Sequence, residues 1–335
     1  MPRHLPHLAR LGIVLAPLVL ATACSSVSAD PAPVTPSSAD PAAAAELTVD
    51  NCGTVVTPEG TPDRIVTVKS TTTELLVELG LADRIVGAAF LDGPVEPPYT
   101  TLDVDIPVMS DFLPGQEATL ALDPDAIVGG WESNFAADGV GERADLAALG
   151  ILTYVAPSAC KEAGYQPDPM TFDLLFAQIE EAGLVFGAEQ AAAALVGTMR
   201  DGLAAVEPST SGLTAVWYSS GDDAPYVGAG IGAPQMMMDA AGLTNVFADV
   251  HDTWTSATWE AVVEADPDVI VLVDASWNTA ASKIERLESD PATASLTAVR
   301  EGRYLVIPFA AGEAGVRNVE AVASLTTQLD ALGLS

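Results

Sequence analysis

The chain has 335 residues, 49% hydrophobic and 18% charged, with 13 Lys and Arg against 46 Asp and Glu for a formal charge of −33. That length and apolar content suffice for two domains of ordinary size. So large an acidic excess excludes nucleic acid and anionic membrane surface as partners held by charge, and suits a neutral or cationic ligand, or solubility at high salt.

Residues 1–10 carry Arg3 and Arg10 and no acid, Leu11 to Leu20 are apolar, and Leu20-Ala21-Thr22-Ala23-Cys24 closes the segment. This is the pattern of a secretory signal peptide over 1–23, too short to stay as a membrane span. Its end resembles a bacterial lipobox, in which Cys24 takes a lipid anchor; a plain secretory cut after Ala23 is the alternative. Residues 24–46 are Ser, Pro, Ala and Asp with little to bury, which predicts a disordered tether. The mature chain then holds Cys24, Cys52 and Cys160. With Cys24 acylated, an exported protein has one even pair left, and oxidising conditions favour a Cys52–Cys160 disulfide.

Beyond the tether the chain reads as α/β. Strands are predicted at Arg64–Lys69, Arg84–Ala89, Pro107–Ser110, up to Gly130, and Ile151–Val155. Helices are predicted at Thr72–Leu79, at Glu117 and at Glu142–Leu149, with Gly80 and Gly150 as stops and a Pro-rich loop from Gly93 to Pro98. From Thr171 to Val206 helical spacing runs without a strand, which predicts one long helix at the midpoint. Strands follow at Thr214–Tyr218, Val269–Val273 and Arg303–Pro308, with a closing helix over Asn318–Leu332. Alternating strands and helices imply mostly parallel sheets.

One local pattern occurs twice. Glu117-Ala118 precedes Asp123-Pro124-Asp125-Ala126-Ile127-Val128, and 143 residues later Glu260-Ala261 precedes Asp266-Pro267-Asp268-Val269-Ile270-Val271. In each copy proline stops a short helix and a β-branched strand follows. A period this long is not a solenoid repeat; it predicts two similar lobes facing each other across a cleft. The lobes are expected at 47–170 and 209–335, with 171–208 as the bridge. Chance recurrence of a helix-Pro-strand junction is the alternative.

The Pro62-Asp63-Arg64-Ile65-Val66 opening, Thr73-Glu74-Leu75-Leu76, Leu79-Gly80-Leu81-Ala82-Asp83-Arg84-Ile85-Val86-Gly87, the two Glu to Asp-Pro-Asp units and Gly242-Leu243-Thr244-Asn245-Val246-Phe247 resemble the substrate-binding lipoproteins of ABC importers for iron-siderophores, cobalamin and haem. The resemblance runs from Leu47 to the C-terminus. It implies two Rossmann-like lobes joined by one long rigid helix, with modest opening around the ligand. It also implies that Glu117 and Glu260 dock on arginines of the membrane permease; solvated helix-start glutamates are the alternative. A carboxylate in a first helical turn faces a positive dipole end and stays ionised.

Ligands of two-lobed α/β proteins bind at the carboxyl ends of strands. Aromatic residues stand just beyond the strands there: Phe90, Phe112, Trp131, Tyr218, Trp277 and Phe309, with Tyr226, Trp254, Glu313 and Arg317 in nearby loops. Flat apolar faces with polar tips suit a bulky ligand of mixed surface. The resemblance places Phe90, Phe112, Trp131, Tyr226, Trp254 and Arg317 near family pocket positions. Arg317 is read as a partner for a ligand carboxylate or chelating oxygen, or for Glu313 or Glu320. The only histidines are His4, His7 and His251. Once the signal leaves, no multi-histidine metal site can form, and no Ser-His-Asp or Cys-His arrangement without His251.

Gly228-Ala229-Gly230-Ile231-Gly232-Ala233 superficially fits a dinucleotide fingerprint, with Asp249 as a ribose acid. It is discounted because the strand ends near Tyr218 and Pro234 follows. The expectation is a non-enzymatic, monomeric, lipid-anchored extracytoplasmic receptor without cofactor, delivering a bulky chelate to a permease. A ferric siderophore is favoured, with cobalamin, haem or a deazaflavin coenzyme as alternatives. An exported carboxylate-dependent hydrolase and a surface adhesion or sensor module are rivals of other classes.

Overall fold

The computed structural model describes residues 47–93, 105–166 and 169–335. The chain divides into Met1–Ala45 and one compact unit, Glu46–Ser335, which alone is considered below. The expected signal peptide, Cys24 and the tether lie outside the described residues, as does most of the Pro-rich loop after Gly93.

The unit opens with a hairpin absent from the sequence-based expectation, β1 (Val49–Asn51) paired antiparallel with β2 (Thr54–Val56). Its two-residue turn is Cys52-Gly53, both at positive φ (52° and 73°), as a tight hairpin requires. Cys52 is disulfide-bonded to Cys160, 108 residues on, with Cα atoms 5.4 Å apart. The bridge thus ties the hairpin to the far end of the first lobe.

That lobe runs β3 (Ile65–Val68), α1 (Ser70–Glu78), β4 (Ile85–Ala89), β5 (Val108–Ser110), α2 (Gln116–Leu120), β6 (Ala126–Gly129), α3 (Arg143–Ala148) and β7 (Leu152–Val155). The strands form one sheet, β5-β4-β3-β6-β7, parallel throughout. All four residues of β3 are buried, as expected where helices cover both faces. Strand order reverses at β3, the place where Rossmann-like sheets open a crevice.

The bridging segment differs from expectation. It folds as two helices, α4 (Phe172–Phe186) and α5 (Glu189–Ala204), broken at Gly187. Gly187 takes φ 67°, and a Cβ there would lie 2.9 Å from the Thr61 hydroxyl. A left-handed glycine with no room for a side chain is a helix stop. The chain enters α4 beside the second lobe, where the Met170 N–H donates to Ile231 O at 2.9 Å. It leaves α4 at the first lobe, where Arg84 Nη1 donates to Phe186 O. α5 then returns to the second lobe, Gly202 lying against Val319.

The second lobe comprises β8 (Thr214–Ser220), β9 (Tyr226–Gly228), α6 (Ala233–Ala241), β10 (Thr244–Asn245), β11 (Trp254–Ser256), α7 (Trp259–Ala265), β12 (Val269–Asp274), α8 (Ala280–Ser289), α9 (Thr297–Arg300), β13 (Tyr304–Pro308) and α10 (Asn318–Ala331). Its sheet is β11-β9-β8-β12-β13, with β10 beside β8. β8, β12 and β13 are parallel, whereas β9 runs antiparallel between β8 and β11. The two lobes therefore match in half of each sheet: β3-β6-β7 corresponds to β8-β12-β13.

The repeated Asp-Pro-Asp explains that match. Asp123 and Asp266 both adopt positive φ (49° and 38°), which short polar side chains tolerate. The second aspartate of each copy then binds the start of the neighbouring central strand. Asp125 accepts the N–H groups of Asp63 and Arg64 at 2.9 and 3.0 Å, and Asp268 accepts that of Thr214 at 2.8 Å. The registers agree, Ile65 facing Ala126 and Ala215 facing Val269. One hydrophobic core runs through both lobes and the bridge, holding Ile65, Leu76 and Val128 together with Ile179, Phe186, Trp217, Val271 and Leu325. Among the described residues no helix is long and apolar enough to cross a membrane.

Candidate ligand cleft

A cavity of about 730 Å³ is lined by both lobes. The first contributes Trp131, Glu132, Ser158, Lys161 and Glu162, which follow β6 and β7. The second contributes Ser219 and Ser220 at the end of β8, Tyr226, Trp254, Trp277 after β12, and Phe309 and Glu313 after β13. Carboxyl ends of parallel strands thus supply most of the wall, because a strand's side chains alternate and only its end is free to turn toward a ligand.

The aromatic residues meet in pairs. Tyr226 and Trp254 stack with centroids 5.7 Å apart at 13°. Trp277 meets Phe309 edge to face, and Trp131 meets Phe90 likewise. Trp277 is 64% exposed, so a ligand rather than the protein would cover it. Trp131, Trp277 and Phe309 also border a second cavity containing Phe90 and Phe112, making them a partition between the two.

Behind that partition lies a charge absent from the sequence-based expectation. Lys69, at the end of β3, is 1% exposed. Its Nζ sits 4.4 Å from the Phe90 ring centroid, 4.1 Å from that of Trp131 and 5.3 Å from that of Phe309. It also pairs with Asp92. Burial pushes the Asp92 carboxyl up, with Lys69 pulling it down. The Lys69 backbone takes φ 82° and ψ 151°, a region that essentially only glycine occupies and that costs a side chain about 1–3 kcal/mol. Lys69 directly follows β3, but nothing in the local sequence pattern marks it as a buried charge.

A second buried ion pair joins the lobes. Arg317, at the start of α10, donates from Nε to Glu74 Oε2 at 2.6 Å and from Nη2 to Oε1, the residues being 243 apart in sequence. Burial raises the Glu74 carboxyl, with Arg317 opposing. Glu313 lines the cavity together with Trp131 and Trp254. Burial raises its carboxyl most, Asp92 adds to this, and Lys69 and the two indoles work against it.

The candidate residues are therefore distributed unevenly. Trp131, Tyr226, Trp254, Trp277 and Phe309 share the main cavity. Phe90 packs on Lys69, and Phe112, 76% exposed, borders the second cavity. Two residues lie elsewhere. Tyr218 is buried against Trp259, its hydroxyl donating to Gly221 O, because its position on β8 points to the sheet face away from the cleft. Arg317 is turned into the interior, where it pairs with Glu74. Glu117 and Glu260 are both exposed in the first turns of α2 and α7. His251 is exposed and does not line the main cavity.

The glycine segment also differs in detail from expectation. β9 leads straight into it, and α6 starts at Ala233 with Pro234 in its first turn, where proline is well tolerated. The grounds for setting nucleotide binding aside are instead its hydrogen bonds. The N–H groups of Ala229, Gly230 and Ile231 donate to Thr253, Val250 and Asp252 carbonyls. A Cβ on Gly230 would lie 2.0 Å from Ala248 O. The glycines admit a neighbouring loop, and the amides a phosphate would need are occupied.

Three comparisons bear on this geometry. The chain is 29% identical to a protein of an ABC-type Fe3+-hydroxamate transport system from Saccharomonospora viridis, whose crystal structure superposes with a TM-score of 0.73 over 85% of this chain and 99% of that one. It is 27% identical over 274 residues to a cobalamin-binding protein of Halobacterium salinarum, covering 77% of this chain and 67% of the relative. It is 25% identical over 292 residues to the uncharacterized ABC transporter substrate-binding lipoprotein YvrC of Bacillus subtilis, covering 84% and 85%. Residues 65–311, spanning both sheets and the cleft between them, match the periplasmic binding protein family, and the chain belongs to it.

Proposed function

We propose that the protein is the extracytoplasmic, lipid-anchored capture component of an ABC importer for a bulky metal chelate, a ferric siderophore of the hydroxamate kind being favoured. The observation that carries this reading is the wall of the main cavity: five aromatic side chains from two lobes, with Glu132, Glu162 and Glu313 outnumbering Lys161. Lys161 is itself paired with Asp252 at 3.2 Å. Such a wall favours a large, partly apolar ligand that is neutral or cationic, and disfavours anionic haem or deazaflavin. The ferric-hydroxamate relative supports the same choice. Cobalamin is the second reading, favoured by the halobacterial relative.

The test is tryptophan fluorescence, since Trp131, Trp254 and Trp277 are three of the five tryptophans and line the cavity. Saturable quenching by ferric hydroxamates, weaker for haemin and deazaflavins, is expected. Binding confined to haemin or a deazaflavin would refute the ligand choice, and turnover of a bound ligand would refute the receptor role. Docking assigns Glu117 and Glu260 to the permease. Glu117→Arg with Glu260→Arg should abolish uptake in cells while leaving ligand affinity unchanged. Anchoring assigns Cys24 to the lipid: Cys24→Ala should release the protein from the membrane fraction.

A further inference from the structure

The cleft holds carboxylates that its buried ion pairs do not account for. Lys69 is matched to Asp92 and Arg317 to Glu74, each pair neutral within itself. Glu132 is occupied by the backbone N–H groups of Lys161 and Glu162. Glu162 is exposed, and Glu313, half-buried, remains. It lines the cavity together with Trp131 and Trp254, one from each lobe, and among the described residues no Lys or Arg forms an ion pair with it.

Neighbouring indoles do not neutralise a carboxylate. Asp92 adds repulsion from behind, and the aromatic wall gives little screening, so a positive group entering from the cavity meets a site already arranged for it. We infer that Glu313 is the charge-selecting residue of the cleft: it seats the cationic or donor end of the captured ligand and discriminates against a ligand bearing a carboxylate at that end. The inference rests on the reading of this cavity as a capture site for a bulky chelate. Because the seat is bounded by Trp131 of one lobe and Trp254 of the other, the group placed there contacts both halves at once.

The test uses three ferric complexes of one linear trihydroxamate whose terminus is a free amine, its N-acetyl derivative or its N-succinyl derivative. They differ in charge at one end and share the metal centre. Wild type should bind them in the order amine, acetyl, succinyl, with about tenfold or more between first and last. Glu313→Gln keeps the side chain's size without its charge and should bring the three affinities together; Glu313→Lys should invert the order. Thermal melts of both variants check that the fold persists. Equal affinities in wild type, or an unchanged order in Glu313→Gln, overturn the inference and leave the capture reading standing. Failure of wild type to bind any of the three overturns the capture reading, and this inference with it.

Discussion

The ion pair between Arg317 and Glu74 should show its cost only when it is broken from one side. Both side chains are almost wholly buried, at 6% and 1% exposure, and the guanidinium grips both carboxylate oxygens. Removing one partner leaves the other's charge in an apolar interior, a loss of about 3–5 kcal/mol. For a unit of this size that lowers the melting temperature by roughly 10 °C. The two single variants should nevertheless differ. Without Arg317, Glu74 can take a proton, and burial already raises its carboxyl; without Glu74, Arg317 cannot lose its charge. Glu74→Leu should therefore be more damaging than Arg317→Leu, and Arg317→Leu should recover on mild acidification. The double variant buries no charge and should lie within about 2 kcal/mol of wild type. Urea unfolding of the four proteins at two pH values measures all of this. Single variants that lose less than about 1 kcal/mol, or a double variant as unstable as Glu74→Leu, would refute the reasoning.

The Glu313 carboxyl, raised by burial, gives binding a pH dependence: as pH falls the group gains a proton before an ordinary carboxylate would, and affinity for the amine-terminated complex should drop. Glu313→Gln should lose that dependence in the same fluorescence titration. Lys283, 1% exposed and donating to Val273 O and Asn278 O, is lowered by burial to about 8. Between that value and its unfolded value the folded state binds fewer protons than the unfolded one, so stability should rise with pH across the window by about 2–3 kcal/mol. Lys283→Met should remove that slope in denaturation curves, whatever it does to stability at neutral pH. Opening the Cys52–Cys160 bridge, which closes a loop of 108 residues, should cost about 4–5 kcal/mol in the chain-entropy view; calorimetry of Cys52→Ser with Cys160→Ser against wild type reads this directly.

The features legible in the sequence are local ones. The Asp-Pro-Asp units announce themselves because proline and a left-handed aspartate act within a few residues, and the parallel strands β3, β6, β8, β12 and β13 are short, mostly apolar runs rich in Val, Ile and aromatic residues. Gly187 carries the same stop signal as Gly80 and Gly150, but the amphipathic pattern before it and the alanine-rich pattern after it both read as helix and mask it. β9 and β11 escape detection because three-residue strands with mixed polarity, Tyr226–Gly228 and Trp254–Ser256, leave no periodicity to read. The cleft's aromatic residues are found by position after strands. Its charges are not: Arg317 finds Glu74 across 243 residues, and no local pattern encodes which of 46 acidic side chains the fold will bury.

That division explains how the two lobes can be alike in frame and unlike in site. The shared half, β3-β6-β7 and β8-β12-β13, is fixed by a repeated cap in which an aspartate holds the start of the central strand, so both lobes present carboxyl ends in the same way. The other half has diverged: the first lobe continues parallel through β4 and β5, whereas the second turns back antiparallel through β9 and β11. This difference supplies the contents of the cleft. β4 delivers Phe90 and the loop bearing Asp92, which cage Lys69, and the β9–β11 pair delivers stacked Tyr226 and Trp254, which line the cavity with Glu313. A strictly duplicated body would offer the ligand two equal walls. Here one wall buries a neutralised Lys69–Asp92 pair behind aromatic rings and the other turns Glu313 toward the cavity, so the two halves offer a ligand different surfaces.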